Sequence, residues 1–120
     1  MGAKMILSIT SLKVKRIHHL FRIIPYSFKS VMQLQKSKCV AFKTKGLANP
    51  SYTMTLWKSE EDMLEYFRSG AHAVAMREAT KWAEEIRSLR LERETLIDWK
   101  EAKSLIERDG KALSKKKQPV

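Results

Sequence analysis

The sequence predicts an α+β fold, a βαββαβ sandwich with a short C-terminal helix, on three observations. Apolar and β-branched runs with partial period-two alternation occur at residues 5–14, 39–45, 52–57 and 88–96. Stretches with the i, i+3, i+4 apolar spacing of helices lie between the first two runs and between the last two. The segments "SEEDM" and "DWKEA" each place a capping residue three positions before an acid. Two helices on one face of an antiparallel sheet, the ferredoxin-like arrangement, is the simplest packing of that order.

Residues 5–14, "MILSITSLKV", read as the first strand. In "KRIHHLFRIIPYSFKSVMQLQKSK", Ile17, Leu20, Phe21, Ile24, Phe28, Val31 and Met32 form a helical stripe. Pro25 removes a backbone donor and pushes Ile24 toward extended geometry. The main helix is therefore expected to start near Pro25, with a single kinked helix as the alternative. "CVAFKTK" and "YTMTLW" make a hairpin across "GLANPS". If Tyr52, Met54 and Leu56 face the helices, then Thr53, Thr55 and Trp57 face the other way. That second face needs cover, and a partner sheet in a two-fold dimer is the simplest closed solution. Ser59 caps the next helix, "SLRLERETL" at 88–96 carries the fourth strand, and Asp98 caps a last helix that ends before Gly110. Residues 1–110 are expected to form one domain and residues 111–120, "KALSKKKQPV", a basic disordered tail.

At 120 residues the chain can bury a core without disulfides, and it has a single cysteine. Cys39 opens an apolar run and reads as a packed thiol in a reducing, cytoplasmic setting. No apolar run reaches the roughly 18 residues a bilayer span needs. Residues 1–59 hold eleven Lys and Arg with no Asp or Glu, so the net charge of +11 resides in the first half. That asymmetry fits either a solvated basic surface or an acidic partner.

The segment "MLEYFRSGAHAVAMREATKWAEEI" changes its apolar face midway. With Met63 at zero and 100° per residue, Phe67, Gly70 and Val74 fall within about 40° of Met63. Ala75, Met76, Ala79, Trp82, Ala83 and Ile86 fall between roughly 100° and 220°, the side on which His72 lies. One regular helix cannot bury both groups against one sheet. Gly70 can relax the backbone and Ser69 can recap a second segment, which turns His72 inward. An inward imidazole can pack and hydrogen-bond to a carbonyl, or serve at a pocket mouth as a ligand or proton carrier near neutral pH. His18 and His19 are adjacent and are expected at the surface.

Thr55, Leu56, Trp57, Ser59, Glu60, Phe67, Ser69, Gly70, His72 and Met76, extended by Trp99, Glu101 and Ala102, carry a family likeness. Over roughly residues 5–108 the chain resembles small proteins of the DUF3291 kind. These lie within the dimeric α+β barrel superfamily, with antibiotic-biosynthesis monooxygenases and spheroidene monooxygenase. The resemblance implies a homodimer with a pocket between sheet and helices in each subunit. It further implies a monooxygenase-like oxidation of a hydrophobic small molecule, either haem-assisted or cofactor-free. His72 is the catalytic candidate, and His72, Phe67 and Trp57 are the pocket candidates for a cofactor such as haem.

The alternative is a non-catalytic small-ligand-binding or scaffold dimer. No Gly-rich phosphate loop, zinc-spaced Cys/His cluster or nucleophile elbow is present. RNA-recognition domains share the βαββαβ order, but their third strand needs a glycine-containing aromatic stretch. "SYTMTLWK" has no glycine and two aromatics, which argues against nucleic acid as partner. The basic amphipathic segment around residues 16–38 also suits peripheral contact with an anionic membrane, although its apolar stripe is equally needed to cover the sheet.

Overall fold

A computed structural model describes residues 5–16, 18–46, 49–68 and 70–115. The element order is β1 (Ile6–Val14), α1 (His19–Gln35), β2 (Ala41–Lys45), β3 (Ser51–Trp57), α2 (Glu60–Phe67), α3 (Gly70–Trp82), β4 (Ala83–Glu92), α4 (Trp99–Asp109) and β5 (Lys111–Lys115). The strands form one antiparallel sheet in the order β2-β3-β1-β4-β5. Its first four strands have the ferredoxin-like arrangement expected from the element order.

The caps act as the sequence implies. Ser59 Oγ accepts from the Asp62 N–H at 3.1 Å, and Asp98 Oδ1 accepts from the Glu101 N–H at 2.8 Å. Three acids in the first turn of α2 also suit the positive end of the helix dipole. The Cys39 thiol is half-buried and donates to the Ala41 carbonyl at 3.2 Å, so it is a packed group, and burial raises its pKa.

Four expectations are corrected. First, α1 does not begin at Pro25 but runs unbroken through it from His19. Pro25 and Phe21 both lie on the exposed side, so the carbonyl that loses its donor is on the side open to water. Second, the helix expected to continue through Ile86 ends at Trp82, and β4 covers 83–92 rather than 88–96. Pairing along β1 takes over there, with Lys13 opposite Glu85 and Leu12 opposite Ile86. Local periodicity yields to a backbone ladder offered by a distant strand. Third, residues 111–115 are a strand paired to β4, not part of a frayed tail; 116–120 lie outside the described residues.

The fourth correction concerns the faces of the sheet. Tyr52, Met54 and Leu56 pack with Leu7 and Ile9 against Ala102 and Ile106 of α4, not against the first two helical layers. Trp57 instead packs with Leu34, Met63 and Tyr66 on the α1–α3 side. The second sheet face thus has a cover within the chain, which removes the geometric reason given above for a partner sheet.

Candidate functional site

The alternation of β1 and β3 sets the floor of the site. Cross-strand pairs Ser8–Thr55 and Thr10–Thr53 share the face that looks toward α1 and α3. These side chains are too short to fill the space beneath the helices. A cavity of about 560 Å³ remains, within the range typical of small-molecule sites. Thr10, Thr53 and Thr55 line its floor; Leu20, Ile23 and Val31 of α1 and Met76 and Ala79 of α3 supply apolar walls.

The helix break delivers His72 to this wall. Gly70 adopts φ +59°, the left-handed region that glycine enters without steric cost, between α2 and α3. A Cβ there would lie 2.9 Å from Gln33 Oε1. That same oxygen accepts from the His72 N–H at 2.9 Å, so Gln33 of α1 caps the first turn of α3. Ser69, the expected cap, lies outside the described residues. Val74, which an unbroken helix would have placed beside Met63, is exposed, while His72 and Ala75 line the cavity.

The imidazole is held on three sides. Its ring stacks on Phe67 at 5.0 Å and lies 4.7 Å from the Tyr66 ring. Nδ1 lies 3.4 Å from the Phe67 carbonyl oxygen, which favours the Nδ1–H tautomer and leaves Nε2 with its lone pair. Burial lowers the His72 pKa, opposed by the Phe67 carbonyl, which favours the neutral ring. Beside it, the Tyr66 hydroxyl donates to the Ser30 carbonyl at 3.0 Å and pairs with Ser30 Oγ at 2.8 Å. Burial pushes this phenol up to about 12, against the opposing Ser30 hydrogen bond.

Of the sequence candidates, His72 and Phe67 line the cavity and Trp57 does not. Trp57 is fully buried behind the wall, 5.5 Å from the Tyr66 ring and 6.2 Å from the Phe67 ring. Its role is indirect. Its indole N–H donates to Thr55 Oγ1 at 2.8 Å, and because indole is a donor only, the Thr55 hydroxyl keeps its own proton to give. Of the two other histidines, His18 is exposed as expected, but His19 is half-buried 5.1 Å from the Trp82 ring. Sequence reasoning missed Tyr66, Ser30, Gln33 and the threonine floor. The available signal was the alternation in "YTMTLW", where two threonines share one side of a strand.

A haem fits this lining poorly. Its two propionates need cations, and among the described residues no Lys or Arg lines the cavity.

No family model matches the sequence, and no curated protein matches it. Solved structures do resemble it. A conserved protein from Methanosarcina mazei superposes with a TM-score of 0.66 at 13% identity, over 77% of this chain and 95% of that one. A protein from Nitrosomonas europaea, provisionally named an antibiotic biosynthesis monooxygenase, gives 0.65 at 11% identity, over 82% and 98%. A variant of SnoaB, a cofactor-independent oxygenase from Streptomyces nogalater, gives 0.59 at 5% identity, over 79% and 98%. At these identities the likeness establishes the fold: an α+β chain with the ferredoxin-like architecture of antibiotic-biosynthesis-monooxygenase-like proteins.

Proposed function

We propose that the protein is a monooxygenase-like oxidoreductase that oxidises a hydrophobic small molecule in this cavity without a bound cofactor. One observation carries the reading: the His72 imidazole, its pKa lowered by burial, stands on the wall of an apolar cleft whose floor is a row of threonines. His72, with Nδ1 turned to the Phe67 carbonyl, acts as the base that takes a proton from the ligand through Nε2. The Thr55 hydroxyl donates to an oxygen on the ligand, which lies against the apolar walls. Dioxygen is the oxidant: the ligand gives up two hydrogens and gains one oxygen atom, and the second oxygen atom leaves as water with those two hydrogens. The DUF3291 likeness, carried by residues between 55 and 76 and by Trp99, Glu101 and Ala102, and the homodimer that this resemblance implies belong to the same reading; a monomeric mass by light scattering removes the dimer.

Oxygen uptake with a panel of hydroxyaromatic and polyene compounds tests the activity. The expected result is turnover by the wild type that His72→Ala lowers by about a hundred-fold, the scale of a lost general base. Equal turnover by the variant ends the assignment of His72. Haem titration is the companion experiment, with no His72-dependent Soret shift expected; such a shift restores haem. A cavity that binds an apolar fluorescent probe while no compound is turned over favours the second reading, a small-ligand-binding protein.

A further inference from the structure

One side of α1 is not used by the fold. Phe21 is 72% exposed, Phe28 66%, Met32 45% and Ile24 40%, and all four are on one strip of the helix. Large aromatic side chains in water at this spacing mark a contact surface rather than scattered exposure. The strip has a chemical border. Lys29 and Lys36 are exposed and project from one flank, roughly 60–80° around the helix from Phe21, next to Arg22, whose guanidinium lies over the Trp82 ring at 5.7 Å. The other flank turns into the cavity through Ser27 and Val31. Ile24 and Phe28 belong to both: they are exposed and they line the cavity, so they form its lip.

We infer that this strip docks the protein on an anionic lipid surface and seats the cavity mouth against the bilayer. Aromatic and aliphatic side chains enter the acyl boundary while the adjoining cations meet anionic headgroups. Charge selects this occupant over a second copy of the chain. Two copies joined along the strip would gather their basic rows around one seam, and α1 itself carries no Asp or Glu to offset them. The attachment is peripheral, since among the described residues no helix is long and apolar enough to cross a membrane. A further consequence rests on the cavity being the ligand site: the ligand is a lipid-dissolved molecule that passes the Ile24 and Phe28 lip without entering water.

Flotation of the full chain with vesicles tests the docking. Phosphatidylcholine vesicles are compared with phosphatidylcholine–phosphatidylglycerol vesicles at low salt and at roughly 0.5 M salt. The expected result is binding about ten-fold stronger to the anionic vesicles, most of it lost at high salt. Phe21→Ser/Met32→Ser and Lys29→Glu/Lys36→Glu should each reduce it by about ten-fold, and none of these residues lines the cavity. Thermal melts confirm folding of each variant, and the charge pair carries the test if the apolar pair unfolds. No enrichment on anionic vesicles, or undiminished binding by folded variants, overturns the inference. So does a dimer that Phe21→Ser/Met32→Ser converts to monomer with no vesicle binding by the wild type; that result assigns the strip to a second copy. Apolar-probe binding measured without vesicles separates the two readings. Its failure removes the cavity as ligand site and leaves docking standing, and the reverse holds for a failed flotation.

Discussion

The two faces of the sheet are built from alternate residues of the same strands, and they pack differently. Toward α4, β1 and β3 present Leu7, Ile9, Met54 and Leu56, all nearly inaccessible and joined by Ala102 and Ile106. Toward α1 and α3 the intervening residues are Ser8, Thr10, Thr53 and Thr55, and the helices leave a cavity above them. Aliphatic side chains on the first face fill the space to the helix, as close packing requires. On the second face short hydroxyl side chains leave volume and supply hydrogen-bonding atoms. One face holds the fold together, and the other face gives up packing to make room for a ligand.

Substitutions on each face can break that contrast. The largest effect is expected from Leu7→Ala, which opens a void in the filled face and should cost about 3 kcal/mol in urea unfolding. A cost below roughly 1 kcal/mol would mean that this face is not close-packed. Thr55→Val on the cavity face comes next. It leaves the buried Trp57 N–H without its acceptor, at about 2 kcal/mol, and should alter the tryptophan emission. A neutral outcome would detach Trp57 from the site. Thr10→Leu should remain within about 1 kcal/mol of wild type while displacing an apolar probe, because the added carbons enter open volume. A penalty equal to that of Leu7→Ala would show both faces equally full.

The smallest effect is electrostatic. Burial holds the folded-state pKa of His72 below its ordinary value. Below about pH 6.5 the unfolded chain therefore binds a proton that the folded chain refuses. The stabilisation is complete above that pH and is lost as the pH falls toward the folded-state value. Melting temperatures of His72→Gln should accordingly depend less on pH than those of the wild type across this window. Parallel curves would mean that the imidazole is not desolvated.

Much of the site was legible in particular residues. The shift of apolar positions after Phe67, with a glycine at the shift, indicated the break and the inward turn of His72. Both follow from helical geometry, which is local. Trp57 was placed at the site through the family likeness, yet strand alternation alone could not say which way it pointed. Tyr66 was hidden because its value depends on Ser30, thirty-six residues away along the chain. Gln33 was invisible for the same reason, since only the crossing of α1 and α3 brings its oxygen to His72.

The sequence by itself determined the order of the elements as far as α4, the capped helix starts at Ser59 and Asp98, the glycine break and the acid-free basic half. Each of these arises from periodicity, capping or charge that neighbouring residues express together. Tertiary structure decided the rest: which side of the strands received the first helices, where α3 gave way to β4, how α1 carried Pro25 and which hydroxyls came to line a cavity. A strand's alternation is unchanged when the sheet is turned over. Only packing between segments distant in sequence chooses one face for the core and the other for the cavity.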